Sequence, residues 1–355
     1  MSQFLVILSD DQRAGRGVRG MTLYWFLKTF HGRTAVQVAT PDELSPRRKI
    51  SADYVFIGLP TTVTRRQMAG LRFRQLVLFD YHDYPLPVWG QSDQAFLRSL
   101  TDHYWKPWVE HDWPSHFQWG CLPIRRNPKM KAYLRWQRMT GRGVSTGAKR
   151  FDSAKRFDIG FLGGPHGLRC GGEGSTDSYN QRVEWLLELN HELPQVTFWG
   201  GLTIPPHLRG WQQQHQDIST IEYSEERINF FRYFRSMCQS RVALAPAGNA
   251  RWSYRQYEAI YARAAVVSTD FTRANMLIPF PTESVFMVPD RQPVTPYVCR
   301  ALELQRNFPD KVEESVRFLE RYLHDGSYSR RKPLPMDRLL QQLNSATSVA
   351  TLDVA

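Results

Sequence analysis

Paired cysteines are missing from this chain. Cys121, Cys170, Cys238 and Cys299 stand far apart with no C-x-x-C spacing, which speaks against a zinc ribbon and a thioredoxin-type redox pair and makes a reduced cytoplasmic protein the expectation. Long apolar runs are missing too. Nothing approaches the ~18–20 residues that cross a bilayer. The opening SQFLVILSDD is short and has no basic flank, so it reads as a first buried strand and not as a signal peptide. No internal repeat and no long low-complexity segment occurs. No D-x-D pair is present, and His111-x4-His116-x4-Cys121 is too loose a spacing for zinc; the expectation is that no metal is required. Acidic residues are absent between Asp112 and Asp152, where Arg125, Arg126, Lys129, Lys131, Arg135, Arg138, Arg142, Lys149 and Arg150 all fall.

What is present fits two packed domains. The chain has 355 residues, 42% of them hydrophobic, and single cores seldom grow past ~250–300 residues. Charge is uneven: residues 1–150 hold 23 Lys+Arg against 11 Asp+Glu, which accounts for the whole net charge of +12. Such a surplus attracts polyanions through counterion release. Apolar runs alternate with helical patterns. Strands are expected at Phe4–Leu8, Ala35–Val38, Tyr54–Ile57 and Leu76–Phe79, with a helix at Leu23–Phe30. A second series starts at Phe157–Leu162 and continues with a helix near Asn180–Leu189, a strand at Val196–Trp199 and a helix at Glu225–Met237; a helix at Lys311–Leu323 closes it. The expected fold is therefore α/β, with a strongly basic Rossmann-like domain over 1–150, a second Rossmann-like domain over 151–330, and a C-terminal helix and tail over 331–355. Glycines and Ser153 within 140–156 mark the linker.

Residues 240–271 carry the sharpest signal. Val242–Ala245 is an apolar strand ending in a loop with Pro246 and Gly248, Ser253 and Gln256 fit the S/T-x-x-E/Q box that opens a helix, and Ala264–Thr269 is a second strand. A helix start of this kind offers unpaired N–H groups and the positive end of a dipole to an anion. Arg255 and Glu258 share one face. The cation suits a diphosphate, and the carboxylate one turn deeper suits paired hydroxyls such as those of a ribose.

The pattern of Pro246, Gly248, Ser253, Arg255, Glu258, Ala259, Ile260, Val266, Asp270, Pro279, Phe280, Ser284 and Val285 resembles the nucleotide-sugar-binding half of exostosin-like glycosyltransferases. The resemblance covers about 60 residues well, extends weakly over 157–330 and fades before that. It implies the GT-B architecture, two Rossmann-like domains facing each other across a cleft. It also implies a nucleotide-sugar donor, UDP-sugar first, with Arg255 on its phosphates and Glu258 on its ribose. The chain departs from the family at Tyr261–Ala265, which reads YARAA where a glycine usually precedes the strand.

Glycosyl transfer needs a base for the acceptor's proton if the anomeric centre inverts, and cations or helix dipoles for the leaving diphosphate in either case. Asp10 and Asp11 follow the first strand; Asp80, His82 and Asp83 follow the Leu76–Phe79 strand. These five are the catalytic candidates. Gly163 and Gly164 after the Phe157–Leu162 strand join Pro246 and Gly248 as donor-loop candidates. Gly15, Gly17 and Gly20 satisfy a bare G-x-G-x-x-G, with Arg13, Arg16 and Arg19 among them, but no acid closes a clear second strand, so a dehydrogenase is disfavoured. Tyr104, Trp105, Trp108, Trp113, Phe117 and Trp119 crowd beside the basic block, as packing or as a stacking surface for sugars or bases. Arg125, Arg126, Lys129, Lys131, Arg135 and Arg138 are the candidate nucleic-acid contacts. The acceptor is then DNA with a hydroxymethylated base, as for phage-type enzymes, or a saccharide or lipid-linked acceptor at an anionic membrane. A non-catalytic nucleic-acid-binding protein is the third reading, and a monomer is expected.

Overall fold

In the computed structural model the described residues are 2–14, 21–81, 94–110, 118–121, 128–140, 155–165, 180–204, 216–223, 228–248, 251–276, 278–323 and 335–345. They gather into two compact units: Met1–Arg125 with Arg273–Pro279 and Asp325–Ala355, and Arg126–Thr272 with Phe280–His324.

The first unit is built on strands β1 (Phe4–Ile7), β2 (Val36–Ala39), β3 (Ile50–Gly58), β4 (Leu71–Phe79), β5 (His103–Lys106) and β7 (Gln118–Cys121), in the order β2-β1-β3-β4-β5-β7. Every neighbouring pair is parallel. Side chains alternate faces along a strand, so an all-parallel sheet must be apolar on both. Phe4, Val6, Tyr54, Phe56, Val77 and Phe79 accordingly belong to one core cluster, and Leu5, Ile7, Val55, Ile57, Leu76 and Leu78 to another. Leu23 and Leu27 of the Met21–His31 helix cover the first face, together with Leu339, Leu340 and Leu343 of the Pro335–Ser345 helix. Tyr54 donates to Asn344 Oδ1 (2.7 Å) and Gln75 Nε2 to the Leu343 carbonyl (3.3 Å). The C-terminal helix, expected as a separate element after 330, is thus part of the first unit's core. Strand β6 (Trp108–Glu110) stands outside the main sheet and pairs antiparallel with β12 (Ala274–Met276).

The second unit holds β8 (Phe157–Gly163), β9 (Phe198–Leu202), β10 (Ser240–Ala245), β11 (Ala265–Thr269) and β13 (Val285–Val288), parallel throughout, in the order β13-β11-β10-β8-β9. Close approach of β9 to β8 requires Gly200: its φ is 95°, and a Cβ there would sit 1.7 Å from the Phe161 carbonyl oxygen. The Pro128–Thr140 helix also belongs here, because Tyr133 packs edge-on to Phe234 at 5.3 Å and beside Phe231 at 6.1 Å, both on the Phe230–Cys238 helix. The compact units therefore divide near residue 125 and not at 150. Lys129, Lys131, Arg135 and Arg138 lie on the second unit, so the basic block is not a property of the first unit alone, as the linear division had it.

The missing glycine before β11 has a structural answer. Arg263 itself takes the left-handed conformation, φ 57°. Its N–H reaches the Ile260 carbonyl and the Ala264 N–H reaches that of Ala259, the Schellman closure of the Tyr254–Tyr261 helix. A two-pronged pair with Glu313 (2.6 and 3.3 Å) and the Lys155 ammonium on its carbonyl (2.8 Å) hold the arginine there. The left-handed region costs a non-glycine residue ~1–2 kcal/mol. Arg263→Ala keeps that strain and loses the ion pair, whereas Arg263→Gly loses the pair and removes the strain. The glycine variant should therefore be the more stable of the two by about 1 kcal/mol in urea titrations; equal midpoints would contradict the strained turn.

Candidate functional site

Ligands of open parallel sheets bind where the crossovers diverge, beyond the carboxyl ends of the strands. In the second unit that point lies between β8 and β10, since β9 flanks β8 on one side and β11 flanks β10 on the other. The loops that leave these two strands carry Gly163, Gly164 and Pro165, and Pro246, Ala247 and Gly248. The sequence-derived donor residues Gly163, Gly164, Pro246 and Gly248 are thus brought to one place.

The helix after β10 opens there. Ser253 is its N-cap: the hydroxyl accepts from the Arg255 N–H (3.3 Å), the Ser253 N–H donates to Gln256 Oε1 (2.9 Å), and Gln256 Nε2 reaches the Arg251 carbonyl (3.0 Å). Arg255 lies back against β8. Its Nη2 donates to the Leu162 carbonyl (2.9 Å), its guanidinium covers the Phe161 ring at 4.7 Å, and its Nε is buried with no hydrogen-bond partner among the described residues. A Cβ at Gly163 would stand 2.8 Å from that Nη2. Gly163 is small because an arginine occupies the space beside it.

Glu258 is buried, and its Oε2 accepts from the Tyr233 hydroxyl at 3.4 Å. Burial, and then the Glu258 charge, push the Tyr233 hydroxyl well above the ordinary tyrosine range, while Arg255 opposes them. Arg255, Glu258 and Tyr233 form one electrostatic group. Arg251 makes a two-pronged pair with Asp290 (2.7 and 2.5 Å) and reaches the Asp270 carbonyl (3.2 Å); its hydrogen bonds hold the Asp290 carboxyl below the usual range.

Residues at the start of the Gln181–Glu192 helix were not singled out in the sequence. Arg182 donates from Nε to the Ala247 carbonyl (3.0 Å) and from Nη1 to the Gly164 carbonyl (2.8 Å). Gln181 accepts from the Ala247 N–H (2.7 Å), and Asn180 donates to the Pro165 carbonyl. The only signal was the N-cap type at Asn180; which loops the next two side chains would meet is a long-range fact.

In the first unit the crossovers diverge between β1 and β3. Asp10 and Asp11 stand there, exposed, in the first turn of a short helix (Asp10–Arg13) capped by Ser9. The Ser9 N–H donates to Thr61 Oγ1 (2.9 Å) and Gln12 Nε2 to the Leu59 carbonyl (3.1 Å), which ties the capped turn to the end of β3. Asp80 is different. It is 1% exposed, and its Oδ2 accepts from Lys106 Nζ at 2.7 Å and from the Tyr104 hydroxyl at 2.9 Å. A carboxylate closed over by an ammonium and sealed from solvent presents no face to an acceptor hydroxyl. His82 and Asp83 lie outside the described residues, as do Gly15, Gly17, Gly20, Arg16 and Arg19. Arg13 is paired with Glu43 at 2.5 Å, so it adds little net field.

Of the aromatic run, Tyr104, Trp105 and Trp108 are buried; they are packing and not a stacking surface. Trp113 and Phe117 lie outside the described residues, as do the Trp119 side chain, Arg125, Arg126 and the Arg138 side chain. Lys129, Lys131 and Arg135 are exposed on their helix. Among the described residues no three His, Cys, Asp or Glu side chains gather as metal ligands, and no helix is long and apolar enough to cross a membrane.

No protein-family model matches the sequence, and no curated protein does. Solved structures do match over nearly the whole chain. The N-terminal domain of a Candida albicans trehalose-6-phosphate phosphatase aligns with TM-score 0.51 at 8% identity, covering 97% of each chain. A UDP-forming alpha,alpha-trehalose-phosphate synthase from Burkholderia xenovorans aligns with TM-score 0.50 at 12% identity, covering 98% of this chain and 100% of the other. OtsA in its apo form gives TM-score 0.51 at 12% identity, covering 92% of this chain and 85% of its own. The fold is that of the GT-B glycosyltransferases. At such identities the GT-B likeness speaks for the architecture, two parallel-sheet α/β domains, and leaves the exostosin-like resemblance of the Pro246–Val285 segment unmatched by any family model.

The Asp80–Lys106 pair yields a test. Removing one partner of a buried pair leaves an uncompensated charge and destabilises by about 3–5 kcal/mol, while replacing both is far milder. Lys106→Met should lower the urea midpoint sharply, and Asp80→Asn combined with Lys106→Met should recover most of the loss. A mild Lys106→Met with an unchanged fold would reopen a solvent-facing role for Asp80.

Proposed function

We propose that the protein is a glycosyltransferase that moves a sugar from a nucleotide-sugar donor, UDP-sugar first, to a hydroxyl on a polyanionic acceptor. The carrying observation is the Ser253-capped helix opening at the switch point of the second unit, with Arg255 and Glu258 in one group behind it. Unpaired N–H groups and the helix dipole would receive the diphosphate, and Glu258 would receive the ribose hydroxyls. Charge on the leaving diphosphate would be met by these groups and Arg255, without a metal. Its UDP-forming neighbour makes UDP the nucleotide to test first.

Asp10 and Asp11 are the favoured bases for the acceptor's proton. They are exposed carboxylates at the switch point of the first unit, whereas Asp80 is occupied; His82 and Asp83 remain candidates on sequence grounds. For the acceptor we propose a hydroxymethylated base in DNA, in the cytoplasm of a bacterium or phage-infected host, with the protein acting as a monomer. The surplus of positive charge over residues 1–150 supports this reading, and such a base would have to leave the duplex stack. The exposed Lys129, Lys131 and Arg135 also suit an anionic membrane carrying a lipid-linked saccharide. A nucleic-acid-binding protein without catalysis is the remaining alternative.

In calorimetry with UDP, Arg255→Ala and Glu258→Ala should each weaken binding by about 1–3 kcal/mol. Unchanged affinity in both folded variants would remove the donor assignment. Turnover should drop by roughly 10²–10⁴-fold when the true base among Asp10 and Asp11 is replaced by Asn, with UDP affinity kept; full activity in both moves the role to His82 or Asp83. Transfer assayed on hydroxymethylated DNA beside lipid-linked and free saccharides decides the acceptor, and DNA affinity should fall with a log–log salt slope of about −0.9 per phosphate neutralised.

A further inference from the structure

We infer that Arg182, with Gln181 and Asn180, is the positioning device of the donor site, setting the separation of the loops after β8 and β10. The inference rests on the donor reading above. Strands β8 and β10 are neighbours whose chains leave in opposite directions, so nothing in the sheet itself joins the two loops beyond their last ladder bond. The guanidinium of Arg182 does: one flat group donates from Nε to the Ala247 carbonyl and from Nη1 to the Gly164 carbonyl, at 3.0 and 2.8 Å. Gln181, 2% exposed, accepts the Ala247 N–H at 2.7 Å, so both backbone groups of Ala247 are held from one helix turn. Asn180 holds the next carbonyl of the other loop, at Pro165.

That turn is itself fixed. Asn180 Oδ1 caps it by accepting from the Arg182 N–H at 3.1 Å, and Val183, Trp185, Leu186 and Leu189 root the helix in the core. From the Tyr254–Tyr261 helix Arg255 holds the Leu162 carbonyl at the end of β8, so the strand end and the loop that leaves it are each held by an arginine from a different crossover helix. A Pro/Gly loop has few side chains with which to hold its own shape. Backbone recognition of a diphosphate tolerates errors of only ~0.5 Å. A planar fork of donors bridges two carbonyls in one fixed geometry, whereas an ammonium on a flexible stem meets them as a point charge and holds their separation less tightly. Arg182 is therefore a positioning residue, acting through the loops.

The test compares Arg182→Lys, Arg182→Ala and Gln181→Met in the full chain, with UDP as probe. Two measurements are made: the Kd for UDP, and hydrogen–deuterium exchange of the loop after β10 without nucleotide. The inference expects both arginine variants to lose UDP affinity by about 10- to 100-fold, lysine nearly as much as alanine, and all three variants to exchange the Ala247 amide faster. Near-wild-type affinity in Arg182→Lys with a large loss in Arg182→Ala would mean a direct charge contact with the diphosphate and would overturn the positioning role. Unchanged loop exchange in all three would overturn it as well. Should the wild-type protein fail to bind UDP, the donor assignment falls, and the exchange measurement alone decides whether the brace governs the loops.

Discussion

Crossovers that leave a parallel sheet in opposite directions open a gap between two neighbouring strands, and the second unit is organised around that gap. The strand order puts it between β8 and β10. The two strands are paired along their length, but the ladder stops at their carboxyl ends, so the backbone beyond must find partners elsewhere or face a ligand. Side chains from the flanking helices supply some of those partners: Arg182 and Gln181 from one, Arg255 from the other. The helix N-terminus at Ser253 is left facing the same gap. One constraint of chain direction thus explains why an arginine, a capped helix and small loop residues converge, although they come from distant stretches of sequence.

Electrostatics divides the carboxylates by burial. Asp80 is neutralised internally by Lys106 with a tyrosine hydroxyl on the same oxygen, a pair that acts within the core. Glu258 is buried beside a tyrosine hydroxyl and in one group with an arginine. Asp10 and Asp11 sit in solvent in the first turn of a four-residue helix. The three environments suit three different tasks, and residue type alone does not separate them.

Much of this was legible in the sequence, for reasons of range. Strands β1, β3, β4, β8, β10 and β11 follow from apolar runs bounded by turn residues, and the Ser253 helix start follows from a four-residue box, because those signals are local. Strands β5, β6 and β7 were not legible. Tyr104, Trp105 and Trp108 looked like a possible stacking surface because an aromatic run says nothing of which way its rings face. The glycines within 140–156 mark a linker locally, whereas the compact units divide near residue 125; the Tyr133–Phe234 contact that ties the Pro128–Thr140 helix to the second unit lies in no sequence window. Arg263 shows the limit from the other side: the sequence shows only that the usual glycine is missing before the strand, and it is Glu313 and Lys155, distant in sequence, that hold the arginine in the left-handed conformation.

The Pro335–Ser345 helix bears on how the chain is made. Its leucines belong to the same core cluster as Phe4, Val6 and Leu8. A ribosome therefore delivers the first strands hundreds of residues before the helix that covers part of their face. Until synthesis passes that helix, some of the apolar surface of β1 and β3 waits in solvent or in the care of a chaperone. The second unit, whose segments between 126 and 324 are all made by then, has no such wait, so the unit that begins the chain is the one whose core is completed last.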